Sequence, residues 1–277
     1  MKKIVFCLFF ILGTQVTSFV EAQEERSFVF VIPSYKNMRW YKKNLDSVMM
    51  QENTYSNWRA IYIDDCSPDG TGLAVQEYVR ECGFEHKITV IRNETRVGAL
   101  ANLYRAIHSC SDDEIVCTLD GDDWVVVDNL FCILNNFYAD PNVWIVYGQY
   151  REWPRGKIGL CRQIPDRFIR ANEFRDIPWA TSHLRTFYAW LFKLIKKEDL
   201  MYNGQFFSMT WDLAIMYPML EMAGERIRFN PTIVYEYNMD NPINDWKTDL
   251  DLVLRTNRYI RSKKRYQRID AANLMSD

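Results

Sequence analysis

Three carboxylates fall within four residues at the end of an apolar run: Ile115-Val116-Cys117-Thr118-Leu119 passes directly into Asp120-Gly121-Asp122-Asp123-Trp124. Acids this close repel one another, and hard oxygen ligands at a strand end commonly hold Mg²⁺ or Mn²⁺ beside a phosphate-bearing substrate. Gly121 would let the chain turn sharply between the first two acids. The alternative is a turn whose acids cap a helix beginning near Val125. A second acidic stretch, Asp64-Asp65-Cys66-Ser67-Pro68-Asp69-Gly70-Thr71, closes another apolar run. Arg92 and Arg96 flank the exit of a third, where a guanidinium could reach a diphosphate or the neighbouring acids.

Such clusters need a scaffold that brings strand ends together. Residues 27–110 alternate short apolar runs with amphipathic stretches, the pattern of parallel strands joined by crossover helices. Strands are expected at Ser27–Pro33, Trp58–Ile63, Lys87–Ile91, Glu114–Leu119 and Val143–Tyr147, with helices near Trp40–Met50, Gly72–Cys82, Gly98–Ser109 and Val127–Phe137. This is an α/β, Rossmann-like, doubly wound and mostly parallel sheet. Ligands of such sheets sit outside the carboxyl ends of the strands. Pro33-Ser34-Tyr35, the Asp64 turn, Arg92-Asn93 and the Asp120 cluster all fall there. After Gly148 the pattern loosens into a loop-rich part with Trp153, Pro154, Pro165, Pro178 and Trp179, and a helix is expected at Thr210–Ala223. That part is expected to cover the crevice and meet a second substrate. The segment Asp249–Arg268 reads as a basic helix, either a solvated face or a surface for anionic lipid.

A chain of 277 residues with 48% hydrophobic and 15% aromatic content can bury a substantial core, and a net charge of −2 supplies no global field for nucleic acid. Lys2 and Lys3 before the apolar run Ile4–Leu12 make residues 1–22 a signal peptide or signal anchor, which would place the body in a secretory lumen or tether it to a membrane. Six cysteines follow the leader without a Cys-x-x-Cys pair, and buried free thiols are expected.

The ordered set resembles glycosyltransferase family 2, inverting sugar transferases with the GT-A fold. It comprises Val31-Ile32-Pro33-Ser34-Tyr35-Lys36-Asn37, Leu45-Asp46-Ser47-Val48 with Gln51, the Asp64–Thr71 turn, Gly98 with Asn102 and Ala106, and Leu119-Asp120-Gly121-Asp122-Asp123. The resemblance implies a nucleotide-sugar half over 23–148, an acceptor half over 149–248 and a basic tail over 249–277. Pro33, Ser34 and Tyr35 would line the nucleotide base, and Asp64 or Asp65 would accept from a uracil-like imide. Arg96 would face the diphosphate. Asp120 and Asp122 would hold ribose and a divalent cation, Mn²⁺ or Mg²⁺, with Asp123 as support or helix cap. Asp212, where relatives often carry Glu-Asp, would be the general base, with Trp211 a sugar platform or a core residue. His183 would be a metal ligand, a polar contact or a structural residue. The partners implied are a nucleoside-diphosphate sugar and a carbohydrate, lipid-linked or protein acceptor.

Two other functions fit the scaffold: a non-catalytic nucleotide or sugar binder, and a nucleotidyltransferase. The second usually shows a glycine-rich loop after the first strand, which Ser34-Tyr35-Lys36-Asn37 lacks. In a secretory lumen Asn93-Glu94-Thr95 would be a glycosylation acceptor, yet a glycan there would obstruct the expected site.

Overall fold

Six segments come first: β1 (Phe28–Ser34), α1 (Tyr41–Met49), β2 (Trp58–Asp64), α2 (Thr71–Glu81), β3 (Ile88–Arg92) and α3 (Ala99–His108). The computed structural model describes residues 24–270, so the expected leader lies outside the described residues. Next come β4 (Ile115–Thr118), β5 (Trp124–Val125), α4 (Leu130–Tyr138), β6 (Ile145–Trp153), β7 (Lys157–Ile158), α5 (Asp166–Ala171), β8 (Arg185–Tyr188) and α6 (Ala189–Lys193). The chain continues through a small hairpin, β9 (Met201–Tyr202) and β10 (Gln205–Phe206), then α7 (Trp211–Ala223), β11 (Ile227–Asn238), α8 (Asp245–Thr248) and α9 (Leu250–Ser262).

One sheet of nine strands carries the molecule, in the order β3-β2-β1-β4-β8-β6-β11-β5 with β7 beside β6. β1 pairs in parallel with both β2 and β4, whereas β8 runs antiparallel to β4 and β6. Every residue of β1 is buried, as expected of a strand covered on both faces. The two faces follow the strand period of two: Val29 and Val31 enter one core with Leu100, Leu103 and Ile107 of α3 and most of α7. Phe28, Phe30 and Ile32 enter the other with Leu45 and Val48 of α1, Val75 and Val79 of α2, and Leu134 of α4. Each such side chain stabilises by roughly 1.5–3 kcal/mol when fully buried.

Two of the alternatives raised by the sequence are decided differently. No helix begins near Val125: Trp124 and Val125 form β5 and pair with Glu236 and Tyr235 of β11, and α4 starts only at Leu130. The Asp120 acids therefore do not stand at the start of a helix. The basic segment is only in part a solvated face: Arg255, Arg258 and Lys264 are exposed, whereas others are engaged within the chain. Arg261 donates to the Arg175 and Ile177 carbonyls, Lys263 and Arg265 pair with Asp199 and Asp176, and Arg268 donates to the Ile169 carbonyl. A buried pair, Arg175 and Glu221, completes this seam: Arg175 also donates to the Ile260 carbonyl, and Glu221 Oε2 accepts from the Tyr266 amide. Among the described residues, no helix is long and apolar enough to cross a membrane.

Candidate functional site

At the exits of β1 and β2, Ser34 Oγ accepts from Tyr62 Oη at 2.7 Å and from Asn37 Nδ2 at 3.0 Å, so it shapes the floor. Pro33 is buried beside it, while Tyr35 is half-buried with the Arg96 guanidinium 3.9 Å from its ring. Asp65 accepts from the amides of Val97 and Gly98 at 2.9 and 2.8 Å and from Asn93 Nδ2 at 2.8 Å, with Arg96 at 4.0 Å. Those donors outweigh the cost of burial and hold its carboxyl below the usual range. Asp64 Oδ2 accepts from the Ser67 amide, and its Oδ1 is buried without a hydrogen-bond partner. Asp69 forms the expected turn, accepting from Thr71 N and Oγ1.

The Asp120 loop is clamped from three elements. Asn44 of α1 donates to the carbonyls of Asp120 and Asp123 at 3.0 and 2.8 Å. Tyr235 of β11 donates to Asp123 Oδ2 at 2.6 Å, and the Asn238 amide donates to Oδ1 at 2.7 Å. Asn241 Nδ2 donates to Asp122 Oδ2 at 2.7 Å. Gly121 does not serve a left-handed turn; its role is close approach, because a Cβ there would lie 2.7 Å from Ser34 Cβ and from Asn37 Nδ2. Burial raises the Asp122 carboxyl. Burial and the charges of Asp122 and Asp120 raise that of Asp123 well above the usual range.

His183, immediately before β8, enters this cluster. Its ring stacks on Tyr235 at 4.6 Å and Tyr237 at 5.1 Å, with Tyr150 edge-on. Asp120, Asp123 and His183 each offer a ligand atom, all within 4.8 Å of one another. This grouping differs from the expected pair Asp120 and Asp122. Burial and the nearby Arg185 charge push the imidazole well below its usual pKa, so it is neutral and can offer a lone pair.

Asp212 lies in the first turn of α7, making no side-chain cap. Its carboxyl is raised by burial, against the opposing charge of Arg185. That guanidinium, 1% exposed, lies 3.8 Å from Asp120 Oδ2 and 3.9 Å from Asp212 Oδ2, and stacks over the Trp211 ring at 4.7 Å. Trp211 is itself buried in the core. The Asp120 cluster and Asp212 thus face each other across one buried cation.

Of the expected residues, Asp120 and Asp212 lie 3.8 and 3.9 Å from Arg185, whereas the Asp122 carboxylate accepts from Asn241. Arg185, Tyr235, Asn238 and Asn241 were not foreseen, since they come from β8, β11 and the loop beyond. Arg92 is exposed at the rim. A cavity of about 440 Å³ at the beginnings of β6 and β11, lined by Asp166, Arg170, Glu225 and Arg228, contains none of the clustered acids. Asn93 Nδ2, the atom a glycan would take, is the one donating to Asp65 and Asn102. The cysteines among the described residues are free, but Cys66 and Cys82 are exposed where burial was expected.

Residues 29–198 match the model of a family described as glycosyl transferase family 2. An uncharacterised glycosyltransferase of Haemophilus influenzae is 29% identical over 117 residues, 42% of this chain and 36% of its own length. The Escherichia coli enzyme WfgD, a UDP-Glc:α-D-GlcNAc-diphosphoundecaprenol β-1,3-glucosyltransferase, is 28% identical over 120 residues, 43% of this chain and 44% of its own. The chain thus spans less than half of these curated relatives. S. aureus TarS, solved with UDP-GlcNAc, superposes with a TM-score of 0.58 at 17% identity, over 78% of this chain and 59% of that one. The mannosyltransferase PcManGT of Pyrobaculum calidifontis, solved with GDP-Man and Mn²⁺, gives 0.56 at 19% identity, over 88% and 66%. The fold is GT-A.

Proposed function

The chain belongs to glycosyl transferase family 2, and from that membership we propose that it moves a sugar from a nucleoside-diphosphate sugar to an acceptor hydroxyl, with inversion and with a divalent cation. One observation carries the reading: the Asp120–Asp123–His183 group lies across Arg185 from Asp212, so a donor site and a base share one crevice.

The residues fit a cation. Asp123 accepts two hydrogen bonds, yet a carboxylate has about four lone-pair sites. Its raised carboxyl marks a cluster short of positive charge. Asp120, Asp123 and the neutral His183 would hold Mn²⁺ or Mg²⁺, whose chemistry is to offset charge on the departing diphosphate. Asp122, tied to Asn241, sits next in sequence as a further oxygen ligand or an orienting neighbour.

Asp212 would take the proton of the acceptor hydroxyl while that oxygen bonds to the anomeric carbon and the bond to the diphosphate oxygen breaks on the opposite face. Its raised pKa makes it the stronger base. On the nucleotide side, Tyr35 and Arg96 present a flat face. Asp64 is the acid with spare acceptor capacity for a uracil-like imide, which favours a UDP-sugar. The named substrates of WfgD support a carbohydrate or lipid-linked acceptor. The leader over residues 1–22, with Lys2 and Lys3 before its apolar run, would carry the body to a secretory lumen or tether it to a membrane.

Calorimetry of UDP and GDP binding with and without Mn²⁺, followed by donor hydrolysis, tests the reading. Metal-dependent binding of one nucleotide with turnover supports it, binding without turnover supports a non-catalytic binder, and no binding by folded protein overturns it.

A further inference from the structure

Arg185 opens the buried strand β8, where a charge costs several kcal/mol unless partnered. Only its Nε makes a good neutral contact, donating to Thr118 Oγ1 at 3.0 Å. The antiparallel register sets it directly beside Thr118 on β4 and Tyr147 on β6, so the backbone fixes where the fork ends. Its two terminal nitrogens reach toward different acids, Nη2 toward Asp120 and Nη1 toward Asp212, at 3.8 and 3.9 Å. Both distances exceed a hydrogen bond, and Nη2 is buried with no hydrogen-bond partner. An arginine in a fully formed buried pair looks different: Arg175, also buried, holds Glu221 with two nitrogens, one of them at 2.9 Å. Arg185 is therefore divided between two carboxylates and committed to neither.

We infer that Arg185 is a positioning residue that couples the donor side of the site to the base. Resting on the proposed transferase reading, it is the counter-cation that Asp120 keeps until a divalent ion takes that carboxylate. The guanidinium, repelled by the ion, then belongs to Asp212 alone and fixes it for the acceptor. Loading of the donor side thereby completes the acceptor side, an order of events written into one side chain.

The test uses the full chain as wild type, R185Q and R185K, with Mn²⁺ alone as the calorimetric probe and hydrolysis of the nucleotide sugar that wild type binds as the kinetic one. R185Q removes a competing charge beside Asp120 and is expected to bind Mn²⁺ about tenfold tighter, with donor kcat reduced at least about 100-fold and donor KM little changed. R185K keeps the charge but not the fork, so Mn²⁺ affinity stays within about threefold of wild type while kcat remains low. A purely structural role would instead weaken Mn²⁺ binding and lower kcat together. Equal or weaker Mn²⁺ binding by folded R185Q overturns the inference. Should R185Q fail to fold, wild-type kcat in R185K overturns it, and low kcat with near-wild-type Mn²⁺ affinity supports it. Absence of Mn²⁺ and nucleotide binding in wild type overturns the transferase reading itself, an outcome distinct from variants that merely match an active wild type.

Discussion

Asp65 and Asp123 are both buried acids beyond the carboxyl ends of β2 and β4, the two strands that flank β1, and the fold treats them oppositely. Asp65 is surrounded by donors from the loop that opens α3, including the Val97 and Gly98 amides, and its charge is favoured where it lies. Asp123 has only Tyr235 and the Asn238 amide, beside two more carboxylates, and its charge is opposed. A satisfied acid holds a loop in place. One whose charge is opposed by burial and by neighbouring acids would gain from an added positive charge. The difference separates architecture from chemistry among residues that look alike in sequence.

The largest break of this contrast is expected from Asp120→Ala, which should weaken Mn²⁺-dependent nucleotide binding by about 100-fold or more while far-ultraviolet circular dichroism stays unchanged. Asp212→Asn should leave nucleotide affinity within a few-fold and lower turnover by roughly 10²–10⁴-fold, read in the same hydrolysis assay. The pH profile sharpens this assignment. Because Asp212 is raised, activity should fall with acidification at a pH above the ordinary carboxylate value of about 3.9, and the limb should vanish in Asp212→Asn.

Stability should then separate the two clusters by sign. Asp65→Asn leaves the Val97 and Gly98 amides facing a neutral, partly donating group and should cost roughly 1–3 kcal/mol in urea unfolding at pH 7. Since the folded pKa is depressed, that contribution is present above the unfolded value and disappears as pH falls through the folded one. Asp122→Asn should act oppositely and more weakly, raising metal-free stability by about 1 kcal/mol at pH 7. Its folded pKa is raised, so the wild-type charge is a liability above that pKa and the advantage of the variant fades as pH falls below the unfolded value. A destabilised Asp122→Asn would show that Asn241 already compensates that charge.

The first half of the site was legible because its strands are uniform apolar runs that end in polar turns; β1, β2 and β4 lie within two residues of their expected bounds. The second half hid for physical reasons. β11 contains Pro231 and shifts register between Asn230 and Tyr235, which breaks the alternation that marks a strand. β8 begins with a buried arginine, a residue that argues against a central strand unless its partners are known to be 67 and 27 positions away, at Asp120's neighbour Thr118 and at Asp212. His183 carried one weak signal, being the histidine inside a polar stretch of the acceptor half. Tyr235 and Asn238 carried none, because their importance lies entirely in what the sheet places opposite them.

The seam around Arg175 and Glu221 has a practical consequence. Glu221 stands on the same helix as Asp212, and its carboxylate receives both the Arg175 fork and the Tyr266 amide, so the last turn of α7 is laced to the segment after α9. A protease that nicks the backbone between Ser262 and Tyr266 would leave the sheet intact and yet loosen the footing of Asp212, the proposed base. Limited digestion of this chain should therefore yield a species that still retains nucleotide but has lost its turnover.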